Sequence, residues 1–217
     1  MRRRAGLLLL PLLVGAAAPQ TLPPKHVVMP VFSRVFDFRT QDTFAAQPVQ
    51  RNDRQVLLEF LSKGETFDTW THLVTVRGFR GLGASPMTTR EIATRLFDPK
   101  GCTKAGTLFV GPEEVVFGQL RRSFVVISCG HSSGNIYPGE KAGGGEQDFL
   151  YLFRDDAHLY TLQYAMRGSS FDTPPIDPAR AEAILSEQFG PVLLCAGPDQ
   201  PGCRDTMAIA SRNGGHW

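Results

Sequence analysis

Four cysteines in a chain headed by an export signal constrain this fold more than any other feature. Arg2, Arg3 and Arg4 form a positive head, Leu7 to Val14 an apolar run broken at Pro11, and Gly15-Ala16-Ala17-Ala18 the small residues a signal peptidase requires. Cleavage after Ala17 satisfies the small-x-small rule, which makes residues 1–17 a signal peptide and the expected location periplasmic or secreted. In that oxidising setting Cys102, Cys129, Cys195 and Cys203 are expected as disulfides rather than metal ligands or nucleophiles. Three pairings are possible. Cys102 with Cys129 and Cys195 with Cys203 are favoured, because the second pair brackets a Gly-Pro-Asp-Gln-Pro-Gly turn and the first brackets two strands. Loop closure of that size contributes roughly 3.5 and roughly 2.5 kcal/mol respectively.

The signal also changes the charge argument. Removing Arg2, Arg3 and Arg4 from 23 basic residues leaves 20 against 21 acidic ones, so the mature chain is nearly neutral. With no basic cluster longer than Arg121-Arg122, nucleic acid is excluded as a partner class. The apolar run is about a dozen residues, too short to span a bilayer core of roughly 30 Å, so no membrane anchor is expected after cleavage.

The mature length suits one domain. Residues 18–26, with Pro19, Pro23 and Pro24, read as an extended lead-in, residues 27–204 as a single α+β domain and residues 205–217 as a flexible tail. His26 to Phe38 predicts one strand interrupted near Pro30, and Arg39 to Asp53 a polar loop. Gln55–Leu61 and Trp70–Phe79 predict a strand pair in which Trp70, His72, Val74 and Val76 share the core face. Further strands are expected at 107–110, 114–120, 123–129, 149–153 and 158–166. Ser85-Pro86 predicts a helix over 86–97, and Asp177-Pro178 with Gly190-Pro191 a second one. The resulting fold class is α+β: a mainly antiparallel sheet, two helices packed on one face, two disulfides, and one side of the sheet meeting water.

Few residues carry chemistry. His131 follows Cys129 after one glycine and precedes Ser132, a grouping that could activate a nucleophile, although a bridged Cys129 is the stronger expectation. Trp70 and His72 could line a pocket, but core packing accounts for the Trp. Gly143-Gly144-Gly145 lacks the Lys-Ser/Thr ending of a phosphate loop, and Asp155-Asp156 with His158 would need ligands from elsewhere to hold a metal. No Gly-x-Ser-x-Gly elbow, His-Glu-x-x-His or dinucleotide fingerprint occurs, so neither metal nor cofactor is expected.

The segment from Leu57 to Val76 contains Gly64-Glu65-Thr66 and then Trp70-Thr71 entering a strand. In this it resembles a segment of small exported bacterial proteins of no assigned activity, with Thr69 and Leu73 where those carry Asn and Met. The resemblance implies an α+β layer fold related to the PsbP-like sandwich and brings no catalytic residues. Export, near-neutral charge and missing catalytic motifs together point to a non-enzymatic binding or interaction module, whose partner is a protein or small-molecule ligand of the cell envelope. The alternative is a cell-envelope hydrolase or other enzyme with a His-centred cleft built on His72, His131 and Ser132. It requires both histidines to meet a carboxylate in one cleft.

Overall fold

The computed structural model describes residues 25–97, 101–133 and 143–212; the stretches expected as signal peptide and most of the lead-in lie outside the described residues. The first two strands, β1 (Lys25–Val31) and β2 (Arg34–Thr40), form an antiparallel hairpin, where the sequence predicts one interrupted strand. Two residues suffice for the reversal because Phe32 adopts a left-handed φ of 54°. Val27, Met29, Val31, Phe36 and Phe38 then fall on one buried face by simple alternation.

The region expected as polar loop contributes two short strands, β3 (Phe44–Ala46) and β4 (Gln50–Arg51), both paired with β5 (Gln55–Ser62). Then come β6 (His72–Arg80), β7 (Cys102–Lys104), β8 (Thr107–Val110), β9 (Glu114–Phe117), β10 (Leu120–Cys129) and β11 (His131–Ser132). The long hairpin of β12 (Gly144–Arg154) and β13 (His158–Ser169) follows, and β14 (Leu193–Cys195) closes the set. Nine strands build one antiparallel sheet in the order β3-β5-β6-β13-β12-β10-β8, with β4 also on β5 and β9 also on β10. A second sheet, β1-β2-β14, stands against it, and β7 pairs with β11 as a small ribbon.

Three helices are described, not two, and they do not share a face of the large sheet. Helix α1 (Thr89–Phe97) sets Ile92 and Ala93 against Val125, Ile127, Leu150, Leu152 and Leu159. Helix α2 (Ala181–Phe189) sets Ala181, Ile184, Leu185 and Phe189 with the second sheet against Val126, Phe149, Tyr151, Phe153 and Tyr160. Residues 125, 127, 150 and 152 alternate along their strands with 126, 149, 151 and 153, so the two helices lie on opposite faces. The expected two-helices-on-one-face arrangement is thereby overturned. Helix α3 (Arg204–Arg212) occupies the stretch expected as a flexible tail, its Ala210 packed with Cys195, Cys203 and Val35 behind the second sheet.

The expected water-facing side of the sheet is also absent from β13. From Leu159 to Ala165 every residue is buried, including Thr161 and Gln163 on the side opposite Tyr160, Leu162 and Tyr164. Polar side chains there signal a buried polar contact rather than exposure.

Local chemistry sets the helix ends. Thr88 and Glu91 form a capping box, Thr88 N donating to the Glu91 carboxylate at 2.7 Å and Glu91 N donating to Thr88 Oγ1 at 3.2 Å. This moves the start of α1 from the expected Ser85-Pro86 to Thr89. The intervening loop is pinned by Arg154, which donates to the carbonyls of Gly83 (3.0 Å), Met87 (2.7 Å) and Ser85. Before α2, Asp177 caps a 3₁₀ turn over Pro178–Arg180 by accepting from Ala179 N at 2.9 Å. Gly190, at φ 61°, ends the helix. Both favoured disulfides are present, Cys102–Cys129 and Cys195–Cys203.

Candidate functional site

The residues singled out in the sequence do not converge. Cys129 is bridged to Cys102, which removes the thiol from the Cys129–His131 grouping. His131 and Ser132 lie in the β7–β11 ribbon, with Ser132 buried and the His131 carbonyl accepting from Thr103 Oγ1. His72 opens β6 in the large sheet, where it stacks on Tyr164 at 5.8 Å and shares a 2.9 Å hydrogen bond with its hydroxyl. Among the described residues no hydrogen bond joins the two imidazoles, and the carboxylate that His72 reaches, through its backbone N–H, is that of Glu65 in the turn before β6.

Trp70 leaves its expected face. It precedes β6 and packs with Leu61, Leu73 and Ala165, on the side opposite Val74 and Val76. The cause is a local knot: Glu65 accepts from Thr71 N at 3.1 Å and from Thr71 Oγ1 at 2.6 Å, while Thr69 Oγ1 accepts from Thr66 N at 3.0 Å. These bonds bend the chain just before the strand and break the alternation. The Gly-Glu-Thr and Trp-Thr segment is thus a turn-holding device.

Sequence reasoning missed a polar seam on the α1 side of the large sheet. It begins where Arg167 lies over the Trp70 ring at 3.8 Å and pairs with Glu146, its direct cross-strand partner, at 2.8 Å. Two residues along β12 on the same face, Asp148 accepts from Gln163 Nε2 at 3.0 Å. Burial pushes the Asp148 carboxyl well above the usual carboxylate range, and neighbouring Glu146 adds to that; Gln163 and Arg77 oppose it. Arg77 is the cross-strand partner of Thr161, and Thr75 the partner of both Gln163 and Glu59. Glu59 is half-buried, its carboxyl raised by that burial and drawn back by Arg77. Arg77 Nε, Thr75 Oγ1 and Thr161 Oγ1 are all buried without a hydrogen-bond partner. The signal in the sequence was the unbroken apolar run Phe149–Phe153. A strand buried on both faces makes acids at its start buried acids too.

A second feature lies at the opposite edge. Of six large hydrophobic residues described as exposed, four sit on β8 and β9: Phe109, Val115, Val116 and Phe117, with Val115 68% exposed. Both strands pair only with β10, so their outer backbone edge is free among the described residues. Phe117 and Gln119 also line a cleft of about 370 Å³ whose other walls include Arg34, Asp155, Asp156 and Ala196. Arg34 Nε donates to Asp155 at 2.7 Å, and Asp155 accepts from the backbone of Ala157 (2.9 Å) and His158 (2.7 Å) at the β12–β13 turn. Burial raises the Asp155 carboxyl, but the bonds from His158, Arg34 and Ala157 outweigh it and hold it below its ordinary value. The Asp155 carboxylate therefore serves the turn and the inter-sheet ion pair. Tyr160, buried behind it, is pushed up to about 12, mainly by desolvation.

No described helix is long and apolar enough to cross a membrane. No family model matches the chain, and no curated protein matches it significantly. Among solved structures it is similar to the Ran-binding protein Mog1p of Saccharomyces cerevisiae, with 11% identity and a TM-score of 0.38 over 77% of this chain and 95% of that one, a likeness too loose to transfer either fold or partner.

Proposed function

We propose that this protein is an exported, non-enzymatic binding module that takes its partner along the β8–β9 edge. The observation that carries this reading is the concentration of exposed apolar side chains on those two edge strands, next to a cleft of ligand size. A free edge offers unpaired backbone N–H and C=O groups, and alternate side chains beside it supply selectivity. The occupant that fits is an extended polypeptide segment with alternating apolar residues, reached in the periplasm or outside the cell. Two disulfides fit that location. Kinship with the small exported bacterial proteins of the Gly-Glu-Thr and Trp-Thr pattern, and with it a PsbP-like layer fold, belongs to the same proposal.

Selection of the purified protein against a displayed peptide library tests the edge. Enriched peptides should alternate apolar residues and lose at least about ten-fold in affinity against a Val115→Glu/Phe117→Glu double variant, while its urea midpoint stays unchanged. Peptides that bind wild type and double variant equally would overturn the reading. Export is checked by intact mass: the secreted chain should begin at Ala18 and accept four thiol labels only after reduction.

A further inference from the structure

The cleft at the end of β9 holds an unbalanced charge. Around it the ion pairs close on themselves: Arg34 on Asp155 at 2.7 Å, Arg121 on Glu113 at 3.2 Å, and Arg122 on Glu114. Asp155 is further occupied by the backbone N–H groups of Ala157 and His158. Arg154, the preceding residue, is turned to the carbonyls of Gly83 and Met87 before α1. Of the charged residues described along the cleft, Asp156 is left over: it is exposed at the β12–β13 turn, with neither a hydrogen bond nor an ion pair among the described residues. The Phe117 ring, 42% exposed, lines the same cleft. A carboxylate without a counter-charge attracts a cation by charge-assisted hydrogen bonding, and an aromatic ring does so through its quadrupole. There is room for one. The cleft, about 370 Å³, falls within the span of roughly 300–1,000 Å³ usual for ligand sites, and Gly118 has no heavy atom within 4 Å of where a Cβ would stand.

We infer that this cleft is the pocket for a basic side chain, lysine or arginine, carried by the extended segment that pairs with β9, and that Asp156 and Phe117 recognise it. The inference rests on the edge reading above and adds charge and register to it. Strands β8, β9, β10 and β12 pair antiparallel, so a segment that continues the sheet runs against β9. Its N-terminal end is then the one that passes Phe117 and reaches the β9–β10 turn, which places the basic residue ahead of the apolar stretch. An acidic side chain is disfavoured there. The Arg34 charge is already met by Asp155, Arg34 Nη1 is closed off from solvent, and Asp156 repels an anion.

The test is selection of the disulfide-bonded protein against a displayed library in which three randomised positions precede alternating Val-Thr repeats. Lys and Arg should be enriched at least about five-fold over Asp and Glu at one of those positions on wild type, and not on Asp156→Asn. In fluorescence anisotropy, an enriched peptide should lose about five-fold in affinity when its basic residue becomes Gln, and the Gln peptide should bind wild type and Asp156→Asn equally. Asp156 is exposed and unpaired, so Asn should leave the urea midpoint in place. Bound peptides with no basic preference, or a basic preference that survives Asp156→Asn, would overturn the pocket and leave the edge standing. Failure of every library member to bind would remove the edge and the pocket together.

Discussion

The two faces of the nine-stranded sheet use the same strands and differ in how they are closed. One face meets the β1-β2-β14 sheet and α2 through an aromatic layer, Phe36 standing edge-on to Phe153 at 5.8 Å and Phe38 edge-on to Phe189 at 5.6 Å. The other meets α1 over only part of its area; beyond Leu150 and Leu159 the layer turns polar through Gln163, Thr161 and Asp148 and becomes apolar again only at Trp70. Ring-on-ring contact is tolerant of small shifts and gains from every buried square ångström. A buried polar layer gains only if each donor finds an acceptor. The first face is therefore where stability resides, and the second is where specificity can be stored.

Four substitutions sharpen that contrast. The largest effect belongs to the aromatic layer: Phe153→Ala should destabilise by about 3–5 kcal/mol in urea titration, and a loss below about 1 kcal/mol would show that this face is not the main core. Next is Arg154→Met, which frees three carbonyls of the loop before α1; a loss of about 2 kcal/mol with faster amide exchange confined to residues 82–97 is expected. Global destabilisation without local exchange would refute the clamp.

The third prediction concerns pH. The folded value of Asp148 is raised above its unfolded one, so its contribution is fully present below the ordinary carboxylate range and is lost as pH rises through the folded value. Asp148→Asn should consequently gain on wild type steadily from about pH 4 towards neutrality in urea midpoints. Parallel curves would mean that Asp148 ionises in the folded state as freely as in the unfolded one. The smallest effect is that of Thr161→Val, a gain of about 1 kcal/mol, because the buried hydroxyl it removes has no partner.

Parts of this arrangement were legible in the sequence. Asp177-Pro178 and Gly190-Pro191 mark α2 because a cap and a stop are local chemistry, and the cysteine spacing gave both disulfides. Helix α3 was not legible: its buried positions are Thr206 and Ala210, small residues that leave no apolar stripe, and its anchor is Cys203 immediately before it. The capping box Thr88-x-x-Glu91 was readable but was masked by the stronger-looking Ser85-Pro86. The seam failed for a longer-range reason. Alternation of Tyr160, Leu162 and Tyr164 with Thr161 and Gln163 has the form of a half-wet strand, and only the neighbours of β13 on both sides, β6 and β12, decide that its polar face is dry. The exposed run Val115-Val116-Phe117 shows the converse, since apolar content predicts a strand without saying that the strand is covered.

The position of β14 has a consequence for how the molecule is made. Val35 in the first hairpin pairs with Cys195, about 160 residues later, so the second sheet stays a two-stranded ribbon until that later segment has been made. At roughly 5–20 residues per second, Phe36 and Phe38 wait roughly ten to thirty seconds after synthesis before their final neighbours arrive. A nascent chain in that interval carries an unpaired strand edge and naked aromatic rings, which makes it a client for a holding chaperone.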